Sequence, residues 1–132
     1  MPEPEEDPNS GEVDEEEAPP LELSAPLKGS DPSQSIWTLV AHNRRVVKGW
    51  EQLVRNTPEN AINCFDWLRM HAMKPIPGRC YALKGKKKAG CWCYEIGSGD
   101  RVYYRPDDAS KVAKFYYAGS HPSAAPDPPK NL

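Results

Sequence analysis

The chain has 132 residues, enough for one domain, with 15 prolines gathered toward its two ends and a formal net charge of −2. That near-neutral total hides a split. Residues 1–33 carry eleven acidic residues against the single base Lys28, leaving sixteen basic and eight acidic residues for the remainder. No apolar run approaches the roughly 20 residues of a membrane span, and an acidic, proline-rich N-terminus is the reverse of a secretory or transit signal, so no membrane association and a cytoplasmic location are expected.

The acidic segment lacks the apolar surface to offset the entropy of ordering it, so residues 1–34 are expected to be a disordered tail. The folded unit is expected over 35–122, with 123–132 as a flexible C-terminal tail. A basic unit behind an acidic tail points to a polyanionic partner, nucleic acid or an acidic protein; a merely solubilising tail is the plainer alternative.

Ser35–His42 (SIWTLVAH) reads as a first strand. From Asn43 to Asn56, Val46, Val47, Trp50, Leu53 and Val54 recur at the spacing of one helical face, with Asn43 placed to cap it. Gly49 inside that helix costs about 1 kcal/mol relative to alanine. Thr57-Pro58-Glu59 restarts a helix, predicted over Pro58–Met73, with Thr57 as its cap, and Pro75 and Pro77 end it. The short connection makes a helical hairpin.

A strand at Arg79–Lys84 leads into a lysine-rich turn and two runs dominated by aromatic and β-branched residues, Cys91–Ile96 and Arg101–Arg105, joined through Gly97-Ser98-Gly99-Asp100. The two-residue period of a strand puts Trp92, Tyr94 and Ile96 on one face and Cys91, Cys93 and Glu95 on the other. Ile96 and Val102 share the core side only if the loop holds an odd number of residues, three or five, for which Gly97 and Gly99 supply the backbone freedom. Arg101, Tyr103 and Arg105 then face outward with Glu95. A last strand, Lys111–Ala118, places Ala113, Phe115 and Tyr117 inward and Lys114 and Tyr116 outward. The sum is an α+β domain: a helical hairpin packed on one face of a small twisted antiparallel sheet.

Four cysteines in a cytoplasmic chain are expected to be reduced. Cys91 and Cys93 are two apart, not the spacing of a zinc knuckle, and no second paired motif completes a metal site; ordinary buried thiols are the simpler reading, and no metal or other cofactor is expected. The basic–aromatic constellation carries more. Arg101, Arg105, Lys114 and the turn lysines Lys84, Lys86, Lys87 and Lys88 converge with Tyr103 and Tyr116 on one face, where cations neutralise phosphates and rings stack unpaired bases. His121, just past the last strand, can reach the same edge and is the imidazole there suited to acid–base work. An arginine, a histidine and a tyrosine together suit metal-free RNA cleavage by 2′-hydroxyl attack. Against this stand an ordinary loop histidine before proline and a cross-strand Glu95–Arg101 ion pair.

The ordered series of L-K-G, W-x-Y-E-I, G-D-R-V-Y-Y, a basic strand ending Y-Y-A-G, and H-P resembles the RelE/ParE superfamily of bacterial toxins from toxin–antitoxin pairs, over about residues 36–122. That resemblance implies a two-helix hairpin on a small twisted sheet. It implies one of two activities: mRNA cleavage, usually at the ribosome, or inhibition of DNA gyrase. It matches Arg101 to the arginine opening the family's R-V-x-Y strand, His121 to the C-terminal histidine of the nuclease branch, and the lysines to the basic turn. Two positions depart: Tyr81 and Ala82 stand where some nucleases carry a carboxylate, and Pro122 where some carry a tyrosine. The leading expectation is an mRNA endoribonuclease with Arg101, His121 and Tyr116 catalytic, partnered by an acidic antitoxin. The alternative is a non-catalytic toxin-fold binder, a gyrase inhibitor or a protein-interaction module.

Overall fold

The computed structural model describes residues 21–23 and 35–132, and among these described residues there are two helices and six strands. In chain order the elements are β1 (Leu21–Glu22), β2 (Thr38–Ala41), α1 (Arg44–Asn56), α2 (Pro58–His71), β3 (Cys80–Ala82), a 3-10 turn (Lys86–Lys88), β4 (Trp92–Ile96), β5 (Asp100–Asp107) and β6 (Val112–Ser120). The tail expected over 1–34 lies outside the described residues at 1–20 and 24–34. Within that span β1 pairs antiparallel with β2, and Leu23 is buried.

The strands form one sheet in the order β1-β2-β6-β5-β4-β3. β3 to β6 are the expected antiparallel meander. β2 differs: it joins β6 in parallel, so the sheet is mixed, and the helical hairpin carries the chain from β2 to β3 at the far edge of the sheet. The helices pack on one face. Val46, Trp50 and Leu53 of α1 and Ala61, Cys64, Phe65 and Leu68 of α2 meet Tyr94, Ile96, Val102, Tyr104, Ala113 and Phe115 of the sheet. The Trp50 ring sits edge-on to Phe115 at 5.8 Å.

Local chemistry explains the helix ends. The Asn43 side chain accepts from the Val46 amide at 3.1 Å, the expected cap. Thr57 does not cap α2. Its hydroxyl turns back and donates to the Leu53 carbonyl at 2.9 Å, closing the end of α1, while Pro58 and Glu59 suit the first turn of α2. Gly49 is explained by contact: α1 lies so close to β6 that a Cβ there would stand 2.0 Å from the Ala118 carbonyl oxygen.

The β4–β5 loop is residues 97–99, an odd number, with Gly97 at φ 65°. Register follows as parity requires: Tyr94 opposes Val102 and Glu95 opposes Arg101. The β5–β6 ladder contains a bulge, since Tyr103 opposes Tyr117 while Tyr104 opposes Phe115, leaving Tyr116 as the extra residue. The strict alternation expected for β6 therefore breaks. Tyr117 does not point inward with Phe115; it joins Tyr116 on the outer face, where both rings pack against Tyr103 at 5.7 and 6.3 Å.

Candidate functional site

The face of the sheet turned away from the helices carries Tyr81 from β3, Cys93 and Glu95 from β4, Arg101, Tyr103 and Arg105 from β5, and Lys114, Tyr116 and Tyr117 from β6. Alternation along each strand, with the bulge included, puts them there because their neighbours fill the core.

One end of this face is built around Arg101. Its main chain pairs with Glu95 on one side and Gly119 on the other. Its guanidinium donates from Nη1 to the Asp100 carbonyl at 2.9 Å and holds Nη2 3.6 Å from the Glu95 carboxylate. The other Glu95 oxygen accepts from the Tyr81 hydroxyl at 2.6 Å. Arg79 donates to the Glu95 main-chain carbonyl at 2.8 Å, which fixes the strand beneath. The cross-strand ion pair weighed for Arg101 is thus present, and the guanidinium still lies on the helix-free face. His121 stands at this same end. It follows the Gly119–Ser120 pairing by one residue, its amide donates to the Gly99 carbonyl at 2.7 Å, and the residue is exposed. Tyr117 closes the end by folding over Gly119 and donating to the Ser120 carbonyl.

The opposite end is cationic. Arg105 opposes Lys114 directly across β5 and β6, an arrangement that like charges disfavour unless an anion shares it. Four residue steps along the strand put Arg105 about 13 Å from Arg101 along β5. Lys88 ends the 3-10 turn at the same edge, while Lys84, Lys86 and Lys87 are exposed around it. A cavity of about 640 Å³ opens here, with Gly90, Arg105, Asp107, Asp108, Lys114 and Leu132 among its walls.

Between the two ends lie buried phenols and thiols. Burial pushes the Cys64, Cys80, Cys91 and Cys93 thiols up, so none is primed as a thiolate, and all four are free. Burial pushes Tyr103 up to about 12 and Tyr116 well above the usual range, the nearby Cys93 and Cys91 thiols adding to the effect. The Tyr116 hydroxyl donates to the Pro126 carbonyl at 3.1 Å. Of the residues picked out from the sequence, Arg101 and His121 share one end, Arg105, Lys114 and the lysines share the other, and Tyr103 and Tyr116 lie between. Sequence reasoning placed Glu95 beside Arg101 but missed Tyr81, which holds the other Glu95 oxygen, and Tyr117. The odd loop length was the signal for Glu95; the place of Tyr117 depends on a bulge.

The C-terminal residues touch this face through Pro126 on Tyr116 and an ion pair of 2.8 Å between Lys88 and Asp127. No group of His, Cys, Asp and Glu suited to a metal ion occurs among the described residues, and no described helix is long and apolar enough to cross a membrane.

No protein-family model and no curated protein matches the chain. Solved structures do. A YoeB/ParE toxin from Agrobacterium tumefaciens superposes with a TM-score of 0.50 at 22% identity, over 64% of this chain and 98% of that one. A YoeB–YefM complex from Staphylococcus aureus matches with a TM-score of 0.50 at 17% identity, over 65% of this chain and 98% of the other. The fold expected from the sequence, that of RelE/ParE-like toxins, is the fold of this chain.

Proposed function

We propose that this chain is the toxin-like component of a two-protein pair and that it cleaves mRNA without a metal, on or off the ribosome. The observation that carries the reading is the register around Arg101: Glu95 and Gly119 flank it on the helix-free face, two residues from His121. The YoeB–YefM structure, a two-protein complex on the same fold, supports a protein partner, for which an acidic antitoxin suits the cationic end.

In the proposed reaction His121 takes the proton of a 2′-hydroxyl. The freed oxygen attacks the adjacent phosphorus, the bond to the 5′-oxygen breaks as that oxygen takes a proton from solvent water, and the products are a 2′,3′-cyclic phosphate and a 5′-hydroxyl. Arg101 stabilises the charge that gathers on the phosphorane. Lys84, Lys86, Lys87, Lys88, Arg105 and Lys114 hold the flanking phosphates, and Tyr103 offers a ring to a base. Tyr116, anchored at Pro126 and toward the cationic half, serves as a wall of the site in this scheme, and Tyr117 is the phenol near the reacting end.

A second reading has its own support. Arg101 is only 8% exposed and already faces a carboxylate. That suits a surface that binds without cleaving, whether a gyrase inhibitor or an interaction module. Incubating the chain, Arg101→Ala and His121→Ala with RNA and with translating ribosomes separates the two. Cyclic-phosphate ends lost in both variants support cleavage. Absence of such ends from the unaltered chain, with gyrase supercoiling inhibited, supports the binder.

A further inference from the structure

Six strands with helices on one side leave the other side of the sheet bare, yet Tyr103 is 3% exposed, and Cys91 is fully buried. The cover on that side comes partly from the chain's own end. Residues 123–132 run proline-rich and extended back toward the sheet: the Pro126 carbonyl accepts from the Tyr116 hydroxyl, Asp127 pairs with Lys88, and Leu132 forms part of the wall of the cavity beside Arg105 and Lys114. Lys88 holds the Asp127 carboxyl below the usual range. Beneath this clasp lies the Cys91 thiol, with Tyr116, Lys88 and Arg105 as its neighbours.

We propose that the helix-free face is a docking groove whose resident occupant is the chain's own residues 123–132, and that this occupant competes with RNA for the cationic end. The inference rests on the RNA reading of that face. Its chemistry is competitive by construction. A carboxylate at Asp127 occupies the Lys88 ammonium that a phosphate would use, and the Pro126 carbonyl engages the hydroxyl of Tyr116 on the same face. Three prolines, at 126, 128 and 129, fix their own φ angles, so holding this segment extended costs less ordering than a flexible tail would. Its anchors are nonetheless weak ones. The ion pair is partly exposed and therefore screened by salt, and the hydrogen bond at Tyr116 is single. The occupant is a displaceable one. A tethered ligand at about 1 mM effective concentration with a dissociation constant of roughly 0.1–0.5 mM, as such weak anchors imply, suppresses a competitor by about three- to tenfold.

The test compares three proteins: the full chain, the full chain with Asp127→Asn, and a chain ending at Pro122. Two readouts are taken. The first is alkylation of individual cysteines by iodoacetamide, mapped by mass spectrometry. Cys91 should label faster in both altered proteins while Cys64, buried under the helices, stays protected and reports that the fold is intact. The second is anisotropy of a fluorescent single-stranded RNA 12-mer at low salt. Affinity should rise about three- to tenfold on truncation, and a synthetic peptide of residues 123–132 added in trans should reverse the gain. Unchanged Cys91 labelling in both altered proteins overturns the docking. Faster labelling with unchanged RNA affinity overturns the competition. Cys91 protection that depends on protein concentration places the segment on a neighbouring copy and overturns the assignment to the same chain. RNA binding by none of the proteins refutes the RNA reading instead, and saturable binding of the peptide to the truncated chain then decides the groove alone, for it if seen and against it if absent.

Discussion

Gly49→Ala separates two accounts of the same residue by the sign of its effect. Helix propensity alone says that alanine stabilises an interior helical position by about 1 kcal/mol. The packing says otherwise. An ideal Cβ at position 49 falls 2.0 Å from the Ala118 carbonyl oxygen, and side-chain carbons essentially never come within 3.0 Å of another heavy atom, so α1 and β6 must part by about 1 Å. Both clashing partners are tied to main chain, so no rotamer change relieves the contact. Overpacking of this kind costs about 1–3 kcal/mol, and the rigidity of both partners argues for the upper part of that range. Subtracting the propensity gain leaves a net loss of about 2 kcal/mol, or a fall in Tm of roughly 8–16 °C for a domain of this size. Thermal unfolding followed by far-ultraviolet circular dichroism measures it. Gly99→Ala is the control: nothing stands within 4 Å of a Cβ there and its φ is not positive, so a change within about 0.5 kcal/mol is expected. A Tm for Gly49→Ala that stays level or rises would refute the packing account. The functional consequence follows from chain order, because Ala118 is three residues before His121 and a displaced β6 carries that end of the site with it.

Tyr104→Phe removes a buried hydroxyl that donates to the Ala72 carbonyl at 2.8 Å and lies 3.4 Å from the Cys80 sulfur. A loss of about 1–3 kcal/mol is expected from the orphaned carbonyl, read as a lower urea midpoint with unchanged slope; an unchanged midpoint would show that the carbonyl finds another partner. Alkaline pH should also destabilise the fold. Burial raises the Cys64, Cys80, Cys91 and Cys93 thiols from 9.0, pushes Tyr94 and Tyr103 up to about 12, and pushes Tyr81, Tyr104 and Tyr116 higher still. Each folded value lies above its unfolded one, so the contribution is whole below pH 9. It declines as the unfolded chain ionises ahead of the folded one, between about pH 9 and 12. Urea midpoints at pH 8, 9.5 and 11 should fall in that order, and a flat series would contradict the burial of these groups.

Local chemistry made much of the fold legible. The helical faces, the Asn43 cap, the Pro58 restart and the odd loop at 97–99 each follow from residues within one turn or one hairpin of each other. What escaped was non-local or unmarked. Nothing in Thr38–Ala41 announces that it pairs with β6 in parallel, since its partner comes only after both helices and three further strands. Gly49 reads as a weak helical position until the strand behind it is known. The bulge at Tyr116 has no glycine to flag it, and one extra residue there moves Tyr117 from the core side to the site. The contacts of the C-terminal segment are unmarked for a related reason. Proline and alanine content describes a chain without a core of its own, but not one that borrows contacts from Tyr116 and Lys88.

The same distinction bears on whether Arg101 is already spent. A guanidinium has five N–H donors. Here one goes to the Asp100 carbonyl, and another faces Glu95 at 3.6 Å, too long for a strong charge-assisted bond. Glu95 gives its short contact to Tyr81 instead. The carboxylate therefore orients the arginine without saturating it, and the remaining donors are those a phosphate would take. Were the pair bidentate at ordinary distances, the ion pair alone would account for Arg101 and no anion site would be needed. The offset geometry, with Tyr81 drawing the carboxylate toward β3, is what keeps a binding role open to this side chain, and it is a consequence of the three-residue loop that set Glu95 and Arg101 opposite each other.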